Sequence, residues 1–158
     1  MILREIQGTD NQQVKKLIQE SLKSFNLAIP GTAYFDPQLG DLTSHYKNTP
    51  RSKYWVVVET NGQVLACGGY GPFGKQSAIC ELQKLYVSPL AQGKGLSRLL
   101  MNQIISQASQ EYEGIYLETT KTLAVANLLY LKYGFKLLAE PLPGSEHGAM
   151  ELWYLKEF

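Results

Sequence analysis

The sequence has no excess of charge and no long hydrophobic run. Its 158 residues include 15 Lys and Arg against 14 Asp and Glu, so it lacks the polyelectrolyte signal of proteins that bind nucleic acids or anionic membranes. No apolar stretch approaches the roughly 20 residues of a membrane-spanning helix. The first residues, MILREIQGTD, lack the architecture of a signal peptide. We therefore expect a cytoplasmic protein that binds neither nucleic acid nor membranes.

Cysteine and histidine are also scarce, with two of each. Cys67 and Cys80 fall on successive predicted strands without metal-site spacing, and are most simply small buried residues in a reducing compartment. His45 and His147 have no partner at ligand spacing, so we expect solvated or locally bonded side chains. The sequence therefore predicts no metal site.

Hydrophobic periodicity predicts seven strands and four helices. A hairpin at Asn61-Gly62 joins the second and third strands. The predicted strands cover residues 1–6, 54–59, 63–70, 78–87, 115–119, 135–139 and 149–155. An antiparallel meander followed by a βαβ-like half indicates a mixed α/β sheet with helices on both faces. Without a repeat, linker or low-complexity tract, residues 1–158 are expected to form one domain.

Each predicted helix has a start signal. A capping box of Thr9 and Gln12 precedes the first helix, and Asp36-Pro37 opens a short second helix. Thr122 is expected to cap the last helix, which Gly134 ends. The first helix has a core stripe of Val14, Leu17, Ile18, Leu22 and Phe25, the second runs through Leu39, Leu42 and Tyr46, and the third has a stripe of Leu96, Leu99, Leu100, Ile104 and Ala108.

Residues 82–100, LQKLYVSPLAQGKGLSRLL, combine a strand, a glycine-bearing turn and an amphipathic helix. Glycines let the backbone approach a ligand closely, and the free N–H groups and dipole of a helix N-terminus suit a phosphate or pyrophosphate. The turn is neither a Walker loop nor a dinucleotide fingerprint, because its glycine spacing differs from both. An ordinary turn entering a core helix is the alternative.

Two motifs resemble those of the GNAT acetyltransferases. Gln92, Gly95 and Ser97 match the acyl-CoA signature Gln/Arg-x-x-Gly-x-Gly/Ala, with serine where glycine or alanine is usual. The stretch Ala126-x-x-x-Tyr130-x-x-x-Gly134-Phe135 resembles the family's late motif. The order of elements matches the family from end to end, and several segments look like small bacterial members. The resemblance implies the GNAT fold, with a central mixed, mostly antiparallel sheet of six to seven strands and helices on both faces.

The resemblance also implies acetyl-CoA as cosubstrate. In the family the helix N-terminus holds the pyrophosphate, the central strand pairs with the pantetheine arm, and a backbone N–H at a bulge binds the oxyanion, here near Leu85 or Tyr86. Leu123 stands where many members carry an asparagine that bonds the pantetheine, and Asn127 does not match that position. The cofactor-binding residues so implied are Leu85, Tyr86, Val87, Gln92, Gly93, Lys94, Gly95, Leu96 and Ser97.

Two residues carry the implied chemistry. Glu81 lies eleven residues before Gln92, at the position of the general base in the histone-acetylating branch; a half-buried glutamate in an apolar setting should have a raised pKa. A solvated charge, or an ion pair with Lys84, is the alternative. Tyr130 matches the tyrosine that protonates the departing thiolate, and the alternative is a core aromatic residue. For the acceptor, Tyr34 and Phe35 lie where the family closes its site but could be hydrophobic staples, and Glu118 could bind a cation or form an ion pair.

The predicted activity is direct transfer of an acetyl group to a primary amine in a ternary complex. A small molecule such as an amino acid, polyamine or antibiotic-like amine is the expected acceptor, and a protein amine is the second choice. A non-catalytic acyl-CoA-binding sensor is the competing interpretation. We expect a monomer or homodimer.

Overall fold

The computed structural model describes residues 1–158, and one seven-stranded sheet runs through it in the order β1-β2-β3-β4-β5-β7-β6. Every neighbouring pair is antiparallel except β4 and β5, which are parallel. The predicted mixed, mostly antiparallel sheet is confirmed. The strands are β1 (Ile2–Glu5), β2 (Lys53–Val58), β3 (Val64–Pro72), β4 (Ile79–Val87), β5 (Gly114–Thr119), β6 (Lys136–Leu137) and β7 (Leu152–Glu157).

Helices cover both faces of the sheet, as predicted. One core contains Ile18, Val56 and Cys67, and the other contains Leu100, Ile104 and Tyr130. No helix has both the length and the apolar character needed to cross a membrane. The α-helices are α1 (Asn11–Ser24), α2 (Leu42–Asn48), α3 (Leu96–Ala108) and α4 (Ala124–Lys132), with 3-10 turns at Gly8–Asp10, Ala33–Phe35, Pro37–Gly40 and Pro89–Ala91.

Strand β2 shows why both faces must be covered. Its sequence KYWVVV is buried at every position after the first. Because successive side chains of a strand point to opposite faces, Tyr54 and Val56 enter the core beside α1 while Trp55 and Val57 enter the core beside α3. A strand without a polar face is stable only inside a layered sheet.

Strands β4 and β5 pair for only three residues. Ile79, Cys80 and Glu81 face residues 114–116, and the pairing then stops. Strand β5 stays paired with β7 as far as Thr119, while β4 stays paired with β3 as far as Val87. The two parallel strands therefore diverge after Glu81, which leaves residues 82–87 without a partner strand on the β5 side.

A bulge interrupts β4 beside this opening. Cys67 pairs with Tyr86 and Gly69 with Gln83, so the single residue between them on β3 faces two residues, Lys84 and Leu85. Lys84 has a φ of 51°, a left-handed conformation that is uncommon for a residue with a side chain. Its carbonyl accepts a 2.7 Å hydrogen bond from the Tyr54 hydroxyl. The extra residue of a bulge has no ladder partner.

The predicted start of the first helix is wrong, whereas Asp36 and Pro37 do open a short helical element. The capping box before α1 uses Gln7 and Asp10, whose carboxylate accepts the Gln7 N–H at 2.8 Å and also binds Arg4. Residues 8–10 form a 3-10 turn instead of the first turn of α1. The predicted helix after Asp36 is two elements, a 3-10 turn and then α2, because the Asp41 carboxylate caps Ser44.

Smaller differences concern the ends of other elements. Helix α4 begins after Leu123 without a side-chain cap, so Thr122 does not cap it. Phe25 and Leu99 are 44% and 41% exposed and do not belong to their core stripes. Strand β3 continues to Pro72, two residues beyond its predicted end at residue 70. Strand β6 is only two residues long, and β7 begins at Leu152 rather than at residue 149.

Gly69→Ala should destabilise the protein. A Cβ built at Gly69 would lie 2.2 Å from the Lys53 carbonyl oxygen and 2.8 Å from the Tyr54 Cα, so the backbone of β2 would have to move. We expect the free energy of unfolding to fall by about 3 kcal/mol, at the upper end of the usual cost of overpacking, in chemical denaturation. Gly40→Ala is the control, since a Cβ there meets nothing within 4 Å. Equal stability of the two variants would contradict the tight β2–β3 contact.

Candidate active site

Glu81 lies at the point where β4 and β5 separate, as the last β4 residue paired with β5. Gln83 follows on the same side of the strand, and its Nε2 donates to a Glu81 carboxylate oxygen at 2.8 Å. The Tyr46 hydroxyl, from α2, donates to the Gln83 Oε1 at 2.6 Å. This chain of hydrogen bonds fixes the orientation of the carboxylate while leaving its other oxygen free to bind a ligand.

The surroundings raise the pKa of Glu81. Burial is the main cause, and the neighbouring Glu118 adds to it, while the hydrogen bond from Gln83 and the charges of His147 and Lys84 oppose it. The predicted alternative, an ion pair between Glu81 and Lys84, does not form. The Lys84 ammonium lies 2.8 Å from a carboxylate oxygen of Asp36 instead. The expected apolar setting is also wrong, because the near neighbours of Glu81 are polar.

His147 belongs to the same cluster, although it was expected to be solvated or locally bonded. Its Nε2 lies 3.0 and 3.2 Å from the two carboxylate oxygens of Asp36, which is 111 residues away in the chain. This hydrogen bond is the main reason why the pKa of His147 is raised, and burial opposes it. The pKa of Asp36 is lowered by His147 and Lys84, although burial alone would raise it. No local sequence pattern could have revealed this pair.

Glu118, on β5, completes the cluster. One carboxylate oxygen accepts from the Tyr116 hydroxyl at 2.9 Å and the other from the Ser145 hydroxyl at 2.7 Å, so the alternative of an ion pair is not observed. Carboxylate oxygens of Glu81 and Glu118 and an imidazole nitrogen of His147 all lie within 4.8 Å of one another. Two carboxylates and an imidazole at this separation can bind a cation, either a metal ion or the ammonium group of an acceptor.

Two cavities meet at this cluster. The larger, about 200 Å³, lies between α2, the β3–β4 connection and the loop before β7. The smaller, about 70 Å³, lies in the opening between β4 and β5 and is lined by Tyr86 and Glu118. Glu81, Gln83 and His147 line both cavities. Groups entering from the two sides would therefore meet beside Glu81.

Of the other predicted site residues, Tyr130 lies in the core, and Tyr34 and Phe35 lie outside both cavities. Tyr130, on α4, is 7% exposed and packs in the core with ring centroids 5.9 Å from Phe135 and Tyr154. Burial raises its pKa. Burial is also the main reason why the pKa of the half-buried Tyr86 is raised, and Tyr130 adds to that shift. Tyr34 and Phe35 contact each other edge to face and line neither cavity; Phe35 is 60% exposed.

The glycine turn is open to a ligand. Gly93 and Gly95 have φ values of 78° and 75°, and a Cβ built on either would meet nothing within 4 Å. Gly95 is the N-cap of α3, so the first N–H groups of the helix face this space. Gln92 and Lys94 are exposed, Ser97 is partly buried, and Leu96 anchors the helix in the core at 3% exposure.

Two buried polar atoms at the β5–α4 connection have no hydrogen-bond partner, the Thr119 hydroxyl oxygen and the Asn127 amide oxygen. The Asn127 amide nitrogen donates to the carbonyls of Thr120 and Leu123 at 2.9 Å, which leaves its oxygen free. Unpaired buried polar groups are rare and need an explanation. The unpaired edge of β4 after Glu81 offers backbone N–H and C=O groups on the β5 side, so the chain fits a ligand that carries amide groups, such as a pantetheine arm.

Comparison with known proteins decides the family. Residues 50–137 match the sequence family described as Acetyltransferase (GNAT) domain, which spans the strand, turn and helix of the proposed cofactor site. The chain belongs to the GNAT acetyltransferase family. It is an N-acetyltransferase by this relationship, and the resemblance read from the two motifs is confirmed.

Full-length relatives support the assignment to the GNAT family. The chain is 35% identical to the protein named Uncharacterized N-acetyltransferase YjgM of Escherichia coli, over 99% of this chain and 94% of that protein. It is 30% identical to an uncharacterized N-acetyltransferase of Schizosaccharomyces pombe, over 90% and 89% of the two chains.

Solved structures share the GNAT fold. A GNAT acetyltransferase from Staphylococcus aureus Mu50 has a TM-score of 0.83 at 19% identity, covering 99% of this chain and 98% of that one. An aminoglycoside 6'-N-acetyltransferase in complex with coenzyme A has a TM-score of 0.72 at 15% identity, covering 99% and 97%. At these identities the likeness concerns the fold alone.

Asp36→Asn should lower the pKa of His147, because it removes the charge that holds the imidazolium. NMR titration of the imidazole would measure the shift, and Asp41→Asn is the control, since Asp41 bonds only to Asn11 and Ser44. An unchanged pKa of His147 would contradict the pairing.

The same pairing predicts a pH dependence of stability. A group whose pKa is raised by folding stabilises the protein below its unfolded pKa, and this contribution is lost as pH rises through the folded value. The stability difference between wild type and Asp36→Asn should therefore shrink as pH rises through the raised pKa of His147. At the acidic end it should shrink as pH falls through the lowered pKa of Asp36, where wild type loses its own charge. Denaturation at a series of pH values would test both.

Proposed function

We propose that this protein transfers the acetyl group of acetyl-CoA directly to a small primary amine in a ternary complex, with Glu81 as the general base. The observation that carries the proposal is the position of Glu81. Its carboxylate has a raised pKa and lines both cavities at the point where they meet. An alkylammonium has a pKa near 10, so it must lose a proton before it can attack a thioester. A base with a raised pKa accepts that proton more readily near neutral pH.

The proposed binding site for the acyl donor, acetyl-CoA, uses backbone groups more than side chains. Acetyl-CoA supplies the thioester carbonyl that the amine attacks. The unpaired edge of residues 82–87 offers N–H and C=O groups to the pantetheine amides, in the manner of an added strand. The bulge at Lys84–Leu85 is the proposed source of the N–H group that stabilises charge on the thioester oxygen. The turn at residues 92–97 would hold the pyrophosphate at the N-terminus of α3.

Tyr130 is the proposed acid. A phenol has a pKa near 10 and burial raises that of Tyr130 further, so the hydroxyl is protonated at neutral pH. A phenol can protonate a departing thiolate that is held in a dry site. In the proton balance of the reaction, the ammonium group loses two protons as it becomes an amide. Glu81 takes the first, Tyr130 gives a proton to the sulfur, and the second amine proton, lost after the attack, replaces the one that Tyr130 has given. Glu81 then gives its proton to solvent before the next cycle.

Two further parts of the proposal concern the acceptor and the location. The larger cavity, about 200 Å³, is smaller than the roughly 300–1,000 Å³ of typical ligand sites, which supports a small-molecule acceptor over a protein amine. A cytoplasmic location remains a prediction from the sequence.

Gly95→Asp tests the pyrophosphate site. The carboxylate would lie where the pyrophosphate binds, whereas asparagine tolerates the same left-handed φ without the charge. We expect the Kd for coenzyme A to be about tenfold higher for Gly95→Asp than for Gly95→Asn, a difference of about 1.4 kcal/mol. Because aspartate favours an N-cap position, loss of the helix would not explain the weaker binding. Equal Kd values in calorimetry would argue against this site.

Tyr130→Phe keeps the ring and removes only the hydroxyl. Turnover should fall by about 10- to 1,000-fold, in the range of general acid–base groups, with little change in coenzyme A affinity. Tyr133→Phe is the matched control, because the Tyr133 hydroxyl bonds to Asn102 on α3, at 2.6 Å, away from both cavities. Normal turnover in Tyr130→Phe with reduced stability would identify Tyr130 as a core residue.

Glu81→Gln tests the base and the function together. For wild type, kcat/KM should decrease as pH falls through the raised pKa of Glu81, because only the carboxylate can accept the proton. The variant should lose this dependence and recover activity as pH approaches the pKa of the acceptor, where solution supplies free amine. Parallel pH profiles of thiol release for wild type and variant would exclude Glu81 as the base.

A further inference from the structure

The walls of the larger cavity, the proposed acceptor chamber, are polar. Of the 13 residues that line it, only Phe73 is hydrophobic. The other groups include the amides of Gln38 and Gln83 and the hydroxyls of Thr49 and Ser52. A methylene chain, as in lysine or a polyamine, would meet more polar than apolar surface here. Carbon atoms that carry hydroxyl groups would instead find both donors and acceptors.

The charge of the chamber is negative. No lysine or arginine lines it, whereas Glu81 and Glu146 do. The ammonium group of Lys84, which lines the smaller cavity, is held by Asp36 at 2.8 Å. A protonated His147 is held by the same carboxylate. The negative charges of Asp36 and Glu81 therefore balance the positive charges of Lys84 and His147. The carboxylates of Glu118 and Glu146 add an excess of negative charge around the chamber.

This balance discriminates between kinds of amine. A carboxylate or phosphate on the acceptor would find no unpaired cation in the chamber, because Asp36 already holds His147, and an unpaired charge in a partly enclosed site is unfavourable. Free amino acids and phosphorylated amines are therefore poor acceptors. The volume of about 200 Å³, below the roughly 300 Å³ of sites for larger ligands, admits one ring or a short chain.

Together these features lead us to propose that the acceptor is a single-ring primary amine with several hydroxyl groups and no acidic group, of the amino-sugar type. This proposal rests on the acetyltransferase function proposed above. The amine would lie beside Glu81, and the hydroxyl groups would face the amides and hydroxyls of the walls.

The test compares three amines that share a six-membered ring. D-glucosamine has the hydroxyl groups, cyclohexylamine lacks them, and D-glucosamine 6-phosphate adds an anion; putrescine represents the polyamines. Rates of thiol release are expressed per concentration of free amine, because the amines differ in pKa. We expect kcat/KM for D-glucosamine to be at least tenfold higher than for each of the others.

The outcomes separate the two proposals. Equal or faster reaction of cyclohexylamine, putrescine or the phosphorylated sugar would overturn the acceptor class and leave the acetyltransferase function standing. If no amine released thiol, the proposed function would fail. Calorimetric binding to the protein saturated with coenzyme A would then decide the class: D-glucosamine should bind more tightly than cyclohexylamine, and the reverse would overturn it.

A charge substitution tests the same chamber by a gain of activity. Gln38→Arg adds a cation to the wall, and we expect kcat/KM for D-glucosamine 6-phosphate to rise at least tenfold relative to wild type. Gln110→Arg adds the same charge at an exposed position after α3, outside the residues that line the chamber, and should give no such rise. Equal effects of the two variants, or no rise in either, would overturn the assignment of this cavity as the acceptor chamber.

Discussion

The early end of the pairing between β4 and β5 is the constraint on which the site depends. Parallel strands that stayed in register would satisfy each other's backbone groups and close the sheet. Here only three residue pairs form, and each strand then continues with its other neighbour. The opening exposes a strand edge inside the molecule instead of at its rim, where it would invite aggregation. Both cavities and the glycine turn lie around this opening.

Asp36 connects the elements around the opening. Its carboxylate binds Lys84, which is the bulge residue of β4, and His147, which lies in the loop before β7. The side chain of Lys84 is only 5% exposed, and an unpaired ammonium group there would be unfavourable. The Asp36 carboxylate therefore neutralises the ammonium group of the bulge residue Lys84. Through His147 it also holds the loop before β7 over Glu81. One carboxylate thus determines both the position of this loop and the balance of charge beside Glu81.

The sequence predicted the features that depend on local pattern. Strands β2 and β4 and the strand–turn–helix of residues 82–100 followed from spacing and periodicity, and the GNAT family followed from the resemblance of two motifs to those of known members. Features that depend on distant contacts were missed. The Asp10 carboxylate accepts the Gln7 N–H and closes the 3-10 turn before α1, while Arg4 holds it from β1; no local rule distinguishes Asp10 from Thr9. His147 and Asp36 meet only after the sheet has formed. Tyr34 and Phe35, which were predicted by position to bind the acceptor, precede Asp36 in the chain but line neither cavity.

The two sides of the opening differ in how the chain builds them. The donor side comes from one continuous stretch, from β4 through the turn to α3. The proposed acceptor chamber is assembled from segments that are far apart in the chain: α2 with its flanking loops at residues 38–52, the end of β3 with the loop after it at residues 71–74, and the loop at residues 144–147. Of these segments, only Gly71 and Pro72 pair in the sheet. A change in the length or composition of these loops would thus alter the acceptor without moving a strand. The architecture allows selectivity for the amine to diverge between related proteins while the machinery for the acyl donor stays intact.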